Sequence, residues 1–397
     1  MVVWHTADGW LNTWVRTGQS WAVLRFVGGL AAPAFLLLAG VGVALAARPD
    51  RGRDQPLLVS LARGLEILLF GYTLRLQTWL IDAAAIRDLH LVRSWLPLLL
   101  GYALWFASLR AIAKQPGRSH AQQPRAWARA KPLAVAGCVL TLLGLAQVPW
   151  LAPGRLPRLL QVDVLQAIGA SLVLLALFER FFRGLQRPWL AVTLGVGVAA
   201  LTEPLSFLLP GVLPVPLAAY LGKFAPAAGA PAPALFPLFP WFAYACIGAA
   251  YGTLLRNRRE NDERFIVCTG LGGALLALLT SEGLHPVQHL IGTAPWLVHP
   301  LRVAFRTGLV LVLLLAGWIW AHRARGRLLI AYGRASLRVY WAHLLFAYGL
   351  AGSAWQKHLA MGEWAARLLL LLIAMWLLTR IGADAAVAAK VRPASTT

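Results

Sequence analysis

The sequence predicts an all-α fold, a polytopic bundle of about eleven transmembrane helices with the N-terminus outside and the C-terminus cytoplasmic. Three observations predict it. The chain is 59% hydrophobic and only 13% charged, with a mean hydropathy of +0.65. A soluble domain is about 45–50% apolar and about 25% charged, so lipid must cover part of this surface. Apolar runs of about 20 residues, each enough for one bilayer crossing, recur along all 397 residues. The polar stretches between the runs alternate between strongly basic and nearly uncharged.

In order, the runs cover residues 21–47, 57–81, 94–113, 132–151, 163–179, 188–208, 234–255, 265–281, 300–321, 329–351 and 364–383. Arg48, Arg51 and Arg53 follow the first run; Lys114, Arg118, Arg125, Arg129 and Lys131 follow the third. Arg180, Arg183 and Arg187 follow the fifth, Arg256, Arg258, Arg259 and Arg264 the seventh, and Arg323, Arg325 and Arg327 the ninth. Lys390 and Arg392 sit in the tail. Basic loops face the cytoplasm, which places residues 1–20 outside. The intervening loops fit that side: 209–233 is rich in Pro, Ala and Gly with one Lys, and is expected to cap the bundle. The 282–299 loop has no Lys or Arg but holds His285, His289 and His299. Residues 1–397 read as one membrane domain, within which 83–162 holds an additional two-span hairpin.

The net charge of +22 sits in these loop clusters, which suit anionic lipid, and no nucleic-acid role is expected. Cys138, Cys246 and Cys268 fall inside apolar runs without a CxxC pair or a disulfide framework. The opening Met1–His5 is apolar but too short for the h-region of a signal peptide. Gly28, Gly29, Gly40 and Gly42 suit close helix packing, and Trp21, Trp95, Trp150, Trp189 and Trp241 suit interfacial anchoring.

Ionisable residues inside or at the ends of spans are costly and mark functional sites. Arg25, Arg75, Asp163, Glu203, Glu282, Arg302, Arg306 and His343 fall on the outer half, with His5, Asp8, His285 and His289 in loops of the same side. Drawn together from separate segments, they would line an outward-facing cavity, with arginines clamping carboxylate or phosphate. Glu66 lies one turn from Arg63 and is expected to pair with it. His5 and Asp8 have the spacing of a base and its orienting carboxylate. His343 reads either as a satisfied core histidine or as a site residue. His285 and His289 are four apart, but Pro286 intervenes and the HExxH order is absent, so no metal site is expected.

Several stretches together resemble the bacterial relatives of the heparan-alpha-glucosaminide N-acetyltransferase family, within the wider transmembrane acyltransferase group. They are Arg25-Phe-Val-Gly-Gly-Leu-Ala-Ala-Pro-Ala-Phe-Leu-Leu-Leu-Ala-Gly40-Val-Gly42; Arg75-Leu-Gln77; Asp163-Val-Leu-Gln166-Ala-Ile-Gly169; Pro237-Leu-Phe-Pro240-Trp-Phe with Gly248-Ala-Ala-Tyr-Gly252; and Gly333-Arg-Ala-Ser336-Leu-Arg-Val-Tyr340-Trp-Ala-His343. The family's first helix is missing from this sequence, and Met1–His5 looks like its last turn; either that helix lies ahead of Met1 or this chain has lost it. Ala167 stands where the animal enzymes have Arg, and the 83–162 hairpin is an addition to the family pattern.

The resemblance implies transfer of an acetyl or other acyl group from cytosolic acetyl-CoA, as co-substrate, to an amino sugar or glycan on the outer side. A histidine of the first outer segment acts in that transfer, and here His5 occupies the segment. His5 would serve as general base or acyl carrier, with Asp8, Asp163, Glu282 and His343 as catalytic candidates. Arg25, Arg75, Gln77, Gln166, Arg302 and Arg306 are the substrate-binding candidates. The setting implied is a bacterial inner membrane, and association into a homo-oligomer is left open. A transporter or flippase for a polar or lipid-linked metabolite would use the same charged residues and is the alternative.

Overall fold

The computed structural model describes residues 1–47, 57–85, 89–113, 123–151, 156–222, 234–258, 263–291, 299–323 and 327–391. In chain order its helices are α1 (Val2–Trp10), α2 (Gln19–Gly28), α3 (Ala31–Ala46), α4 (Leu57–Ala85), α5 (Leu89–Ala113), α6 (Gln123–Leu151), α7 (Leu156–Leu159) and α8 (Val164–Phe182). They continue with α9 (Pro188–Val212), α10 (Val215–Leu221), α11 (Leu238–Asn257), α12 (Glu263–Ile291), α13 (Pro300–Arg323), α14 (Arg327–Arg334), α15 (Ser336–Tyr348) and α16 (Met361–Val391). No β-strand occurs among the described residues, only two isolated bridges. A helix is what an apolar run adopts in hydrocarbon, because it satisfies every backbone N–H and C=O within the segment.

Among the described residues nine helical stretches are long and apolar enough to cross a membrane: the continuous Gln19–Ala46 stretch and spans in α5, α6, α8, α9, α11, α12, α13 and α16. Two of the expected runs are not among the nine. The 57–81 run forms α4, which carries Arg63, Glu66, Arg75 and Asp82 along its length. The 329–351 run is broken at Ala335, whose ψ of 12° leaves helical geometry and divides α14 from α15. Leucines such as Leu142 (61% exposed), Leu279 (67%) and Leu370 (66%) stand bare on the helix surfaces, where lipid must cover them.

The chain divides into two compact units, Met1–Ala31 with Leu314–Thr397, and Ala32–Leu313. The core of the first unit gathers Val2, Ala7, Trp10 and Leu11 with Val339, Leu359, Trp364, Leu368 and Met375. α1 lies against α15 and α16.

In the second unit α5 runs along α6, α4 along α8, and α9 along α11. α5 and α6 are the two spans of the 83–162 hairpin. Trp95 is 1% exposed and packs with Leu76, Leu98, Tyr102 and Val148, so burial in this core replaces the interfacial anchoring expected of it. Close approach of α3 to α11 rests on Gly40 and Gly248: a Cβ on Gly40 would run into the Ala245 carbonyl, and one on Gly248 into that of Leu37. Gly42, by contrast, faces open space. Arg256 donates to the carbonyls of Ala44 and Ala47 at the end of α3 and to that of Leu185, groups a helix terminus leaves without partners. Glu66 pairs with Arg110 of α5 (3.2 Å) and not with Arg63; both arginines are exposed, and the packing of α4 along α5 brings Arg110 within reach. Of the proposed outer cap, residues 223–233 lie outside the described residues, as do 48–56, 114–122, 259–262 and 324–326 of the basic loops.

Candidate functional site

α1 is nine residues long, and its position is set by what it touches. Gly9 lets it lie close to α15, since a Cβ there would meet the Ala347 carbonyl. The Trp10 indole donates to the Phe346 carbonyl (3.0 Å), and the Trp364 indole donates to the Thr6 hydroxyl (3.2 Å). The segment after α15 closes the end of α1: the Lys357 and Leu359 amides donate to the carbonyls of Gly9 and Trp10, at 3.1 and 3.0 Å. Arg16 and Lys357 also donate to the Asp8 carbonyl, placing two cations at the negative end of the helix dipole.

This frame brings His5, Asp8 and His343 into one cluster. The rings of His5 and His343 are 5.3 Å apart, and Tyr340 and Tyr348 stand edge-on to His5 with centroids 6.2 and 5.6 Å away. No direct hydrogen bond or ion pair joins His5 to Asp8. His5 Nδ1 lies 3.1 Å from the Tyr348 hydroxyl, which donates to Asp8 Oδ2 at 2.9 Å. Arg16 reaches Asp8 Oδ1 at 3.4 Å. Burial lowers the His5 pKa to about 4, against a weaker upward pull from the Asp8 carboxylate, so its ring is neutral at pH 7. His343 is fully buried in α15; its Nδ1–H donates to the Val339 carbonyl (2.7 Å), while its Nε2 has no partner among the described residues. A buried acceptor without a partner costs free energy, of order 1–3 kcal/mol.

A second cluster lies in the other unit. Asp163 is the N-cap of α8: its carboxylate accepts from the Val164 amide (2.8 Å), and the Gln166 side chain accepts from the Asp163 amide (3.2 Å), completing a capping box. The other Asp163 oxygen pairs with Arg75 of α4 at 3.0 Å. Gln166 is fully buried; its Oε1 is committed to the cap and its Nε2 has no partner among the described residues. Gln77, half-buried, follows two residues after Arg75 on α4.

The remaining candidates are dispersed. Arg306 lies near the Tyr244 phenol and stands over the Trp241 ring at 6.0 Å, so its charge is engaged by aromatic groups. Arg302 is half-buried one turn earlier on α13, and Arg25 is exposed on α2. Glu282 falls within α12, but its side chain, like those of His285 and His289, lies outside the described residues. No group of three metal-ligating side chains occurs among the described residues. Spacing missed Tyr348 and Arg16, the two residues that join Asp8 to its surroundings.

Among the described residues, nine bilayer-length apolar helices mark a multi-pass integral membrane protein, which also holds two clusters of paired polar side chains. A family model described as heparan-alpha-glucosaminide N-acetyltransferase, catalytic, matches residues 90–287. The match supports membership of the chain in the heparan-alpha-glucosaminide N-acetyltransferase-like family, and with it membrane acyltransferase activity. No curated protein matches it, and no solved structure does. The matched stretch runs from α5 to α12 and so takes in the α5–α6 hairpin, Asp163, Gln166 and Glu282. His5, Asp8, Tyr348 and His343 lie outside it.

Proposed function

We propose that the protein moves an acetyl or other acyl group from cytosolic acyl-CoA to the amine or hydroxyl of an amino sugar or glycan on the outer side of a bacterial inner membrane. The family match supports the acyl transfer. The observation that carries the site is the cluster in which neutral His5 stands 5.3 Å from His343 and is joined to the Asp8 carboxylate through Tyr348.

The neutral imidazole of His5 is the general base. The acceptor amine attacks the thioester carbonyl, forming the C–N bond as the C–S bond breaks. The amine proton passes to His5 and from there to the departing CoA thiolate, so His5 ends as it began. His343 carries a buried nitrogen lone pair, without a partner among the described residues, that accepts from the N–H or O–H of the acceptor and holds it beside His5. The test is transfer of radiolabel from acetyl-CoA to a panel of amino sugars by the purified protein. His5→Ala should lower the rate by about 100-fold or more, the scale of a lost general base. Unchanged rates in both His5→Ala and His343→Ala would remove the scheme.

A further inference from the structure

Three side chains, His5, Tyr348 and Asp8, meet around a single hydrogen, the one on the phenol. Tyr348 ends α15, more than 300 residues from α1 in sequence, and it is 40% exposed. Its Oη stands 3.1 Å from His5 Nδ1 and 2.9 Å from Asp8 Oδ2. A phenol has one hydrogen to donate, and an ionised carboxylate can only accept. If the hydrogen pointed at His5, the phenol lone pairs would face the carboxylate oxygen without a proton between them. The hydrogen therefore goes to Asp8, where the bond is charge-assisted and the stronger of the two. The phenol oxygen is then left as an acceptor toward His5, and Nδ1 must carry the imidazole hydrogen.

The geometry points to Tyr348 as a positioning residue that relays the Asp8 carboxylate to His5, locking His5 in the Nδ1–H tautomer with Nε2 as its basic nitrogen. This rests on the acyltransferase reading for its consequence, though not for its geometry. Two features hold the relay in place. Asp8 Oδ1 is steadied by Arg16 at 3.4 Å, which leaves Oδ2 for the phenol. The Tyr348 carbonyl accepts from the Gln356 amide group at 3.1 Å, tying the end of α15 to the segment that also closes α1. The relay puts a neutral hydroxyl where a direct histidine–carboxylate pair would put charge against charge. It transmits the carboxylate's orienting effect while leaving His5 neutral and ready to take a proton at Nε2.

The test reads the tautomer directly. Full-length protein carrying ¹⁵N-labelled histidine is reconstituted in nanodiscs, and the His5 ring signals are identified by their loss in His5→Gln. In the wild type the shifts should be those of an Nδ1–H ring with a bare Nε2. In Tyr348→Phe, which keeps the aromatic ring, His5 should move toward the Nε2–H form, and kcat should fall by about 10-fold or more with KM for acetyl-CoA unchanged. Asp8→Asn, which leaves Tyr348 in place but removes the charge, should shift the tautomer in the same direction. An Nε2–H ring in the wild type, or an unmoved Nδ1–H ring in Tyr348→Phe, would overturn the inference whatever the activity. If the wild type transfers no acyl group while the tautomer behaves as described, the acyltransferase reading fails and the relay stands.

Discussion

A histidine with a pKa of about 4 is neutral throughout the physiological range, and for His5 burial is the main cause. If its neutral ring is the base, kcat/KM should stay level from pH 8 to about pH 5 and fall below that as the ring protonates; a fall centred near pH 6.5 would indicate an ordinary, solvated histidine. The same shift makes a stability statement. Between pH 6.5 and about 4 the unfolded chain binds a proton at His5 that the fold does not, so this group's contribution is lost as pH falls through that window. Asp163 is a different case. It caps α8 and pairs with Arg75, so Asp163→Ala should destabilise the fold by about 1–2 kcal/mol, the range of a lost N-cap, while Asp163→Asn should keep most of the cap. Thermal unfolding in detergent, followed by fluorescence, would separate the two variants; equal midpoints would contradict the capping role. The sequence offered Asp163 and Gln166 only as catalytic and substrate-binding candidates; their capping box emerged from the structure, where the two residues stand at the N-cap and N3 of α8. The Tyr348 relay was not legible either, because no local pattern links residues 5 and 8 to residue 348.

Helices follow from apolar runs of bilayer length, and most of those in this fold were readable for that reason. Where the pattern misleads, a local backbone event or a distant partner decides the outcome. The break at Ala335 turns one expected span into α14 and α15, and α15 ends at Tyr348, the residue that reaches His5 and Asp8. Glu66 has a cation one turn away in sequence, yet its partner comes from α5, because helix packing places Arg110 against it. The α3–α11 contact depends on a backbone approach that tolerates no side chain at Gly248. Gly248→Leu should therefore cost about 1–3 kcal/mol or more by forcing those helices apart. Gly42→Leu, on a face with nothing within 4 Å, should cost far less. A thermal shift as large for Gly42→Leu as for Gly248→Leu would contradict this packing.

The whole molecule combines a family-matched stretch, residues 90–287, which lies entirely within the Ala32–Leu313 unit, with a histidine cluster formed in the other unit by the two ends of the chain. The sequence pattern alone placed it in a membrane, since basic residues sorted into alternate loops between apolar runs are what the positive-inside rule produces. It could not reveal how candidates hundreds of residues apart divide into separate clusters, because helix order does not determine helix neighbours. The proposed chemistry carries an acyl group across a bilayer. Its most direct test is a proteoliposome with an amino sugar trapped inside and radiolabelled acetyl-CoA added only outside, the thioester being unable to cross lipid unaided. Labelled N-acetyl sugar appearing inside with the wild type, and absent with His5→Ala, is the result expected. An interior that stays unlabelled while empty and protein-containing vesicles hold their trapped sugar equally well would contradict the account.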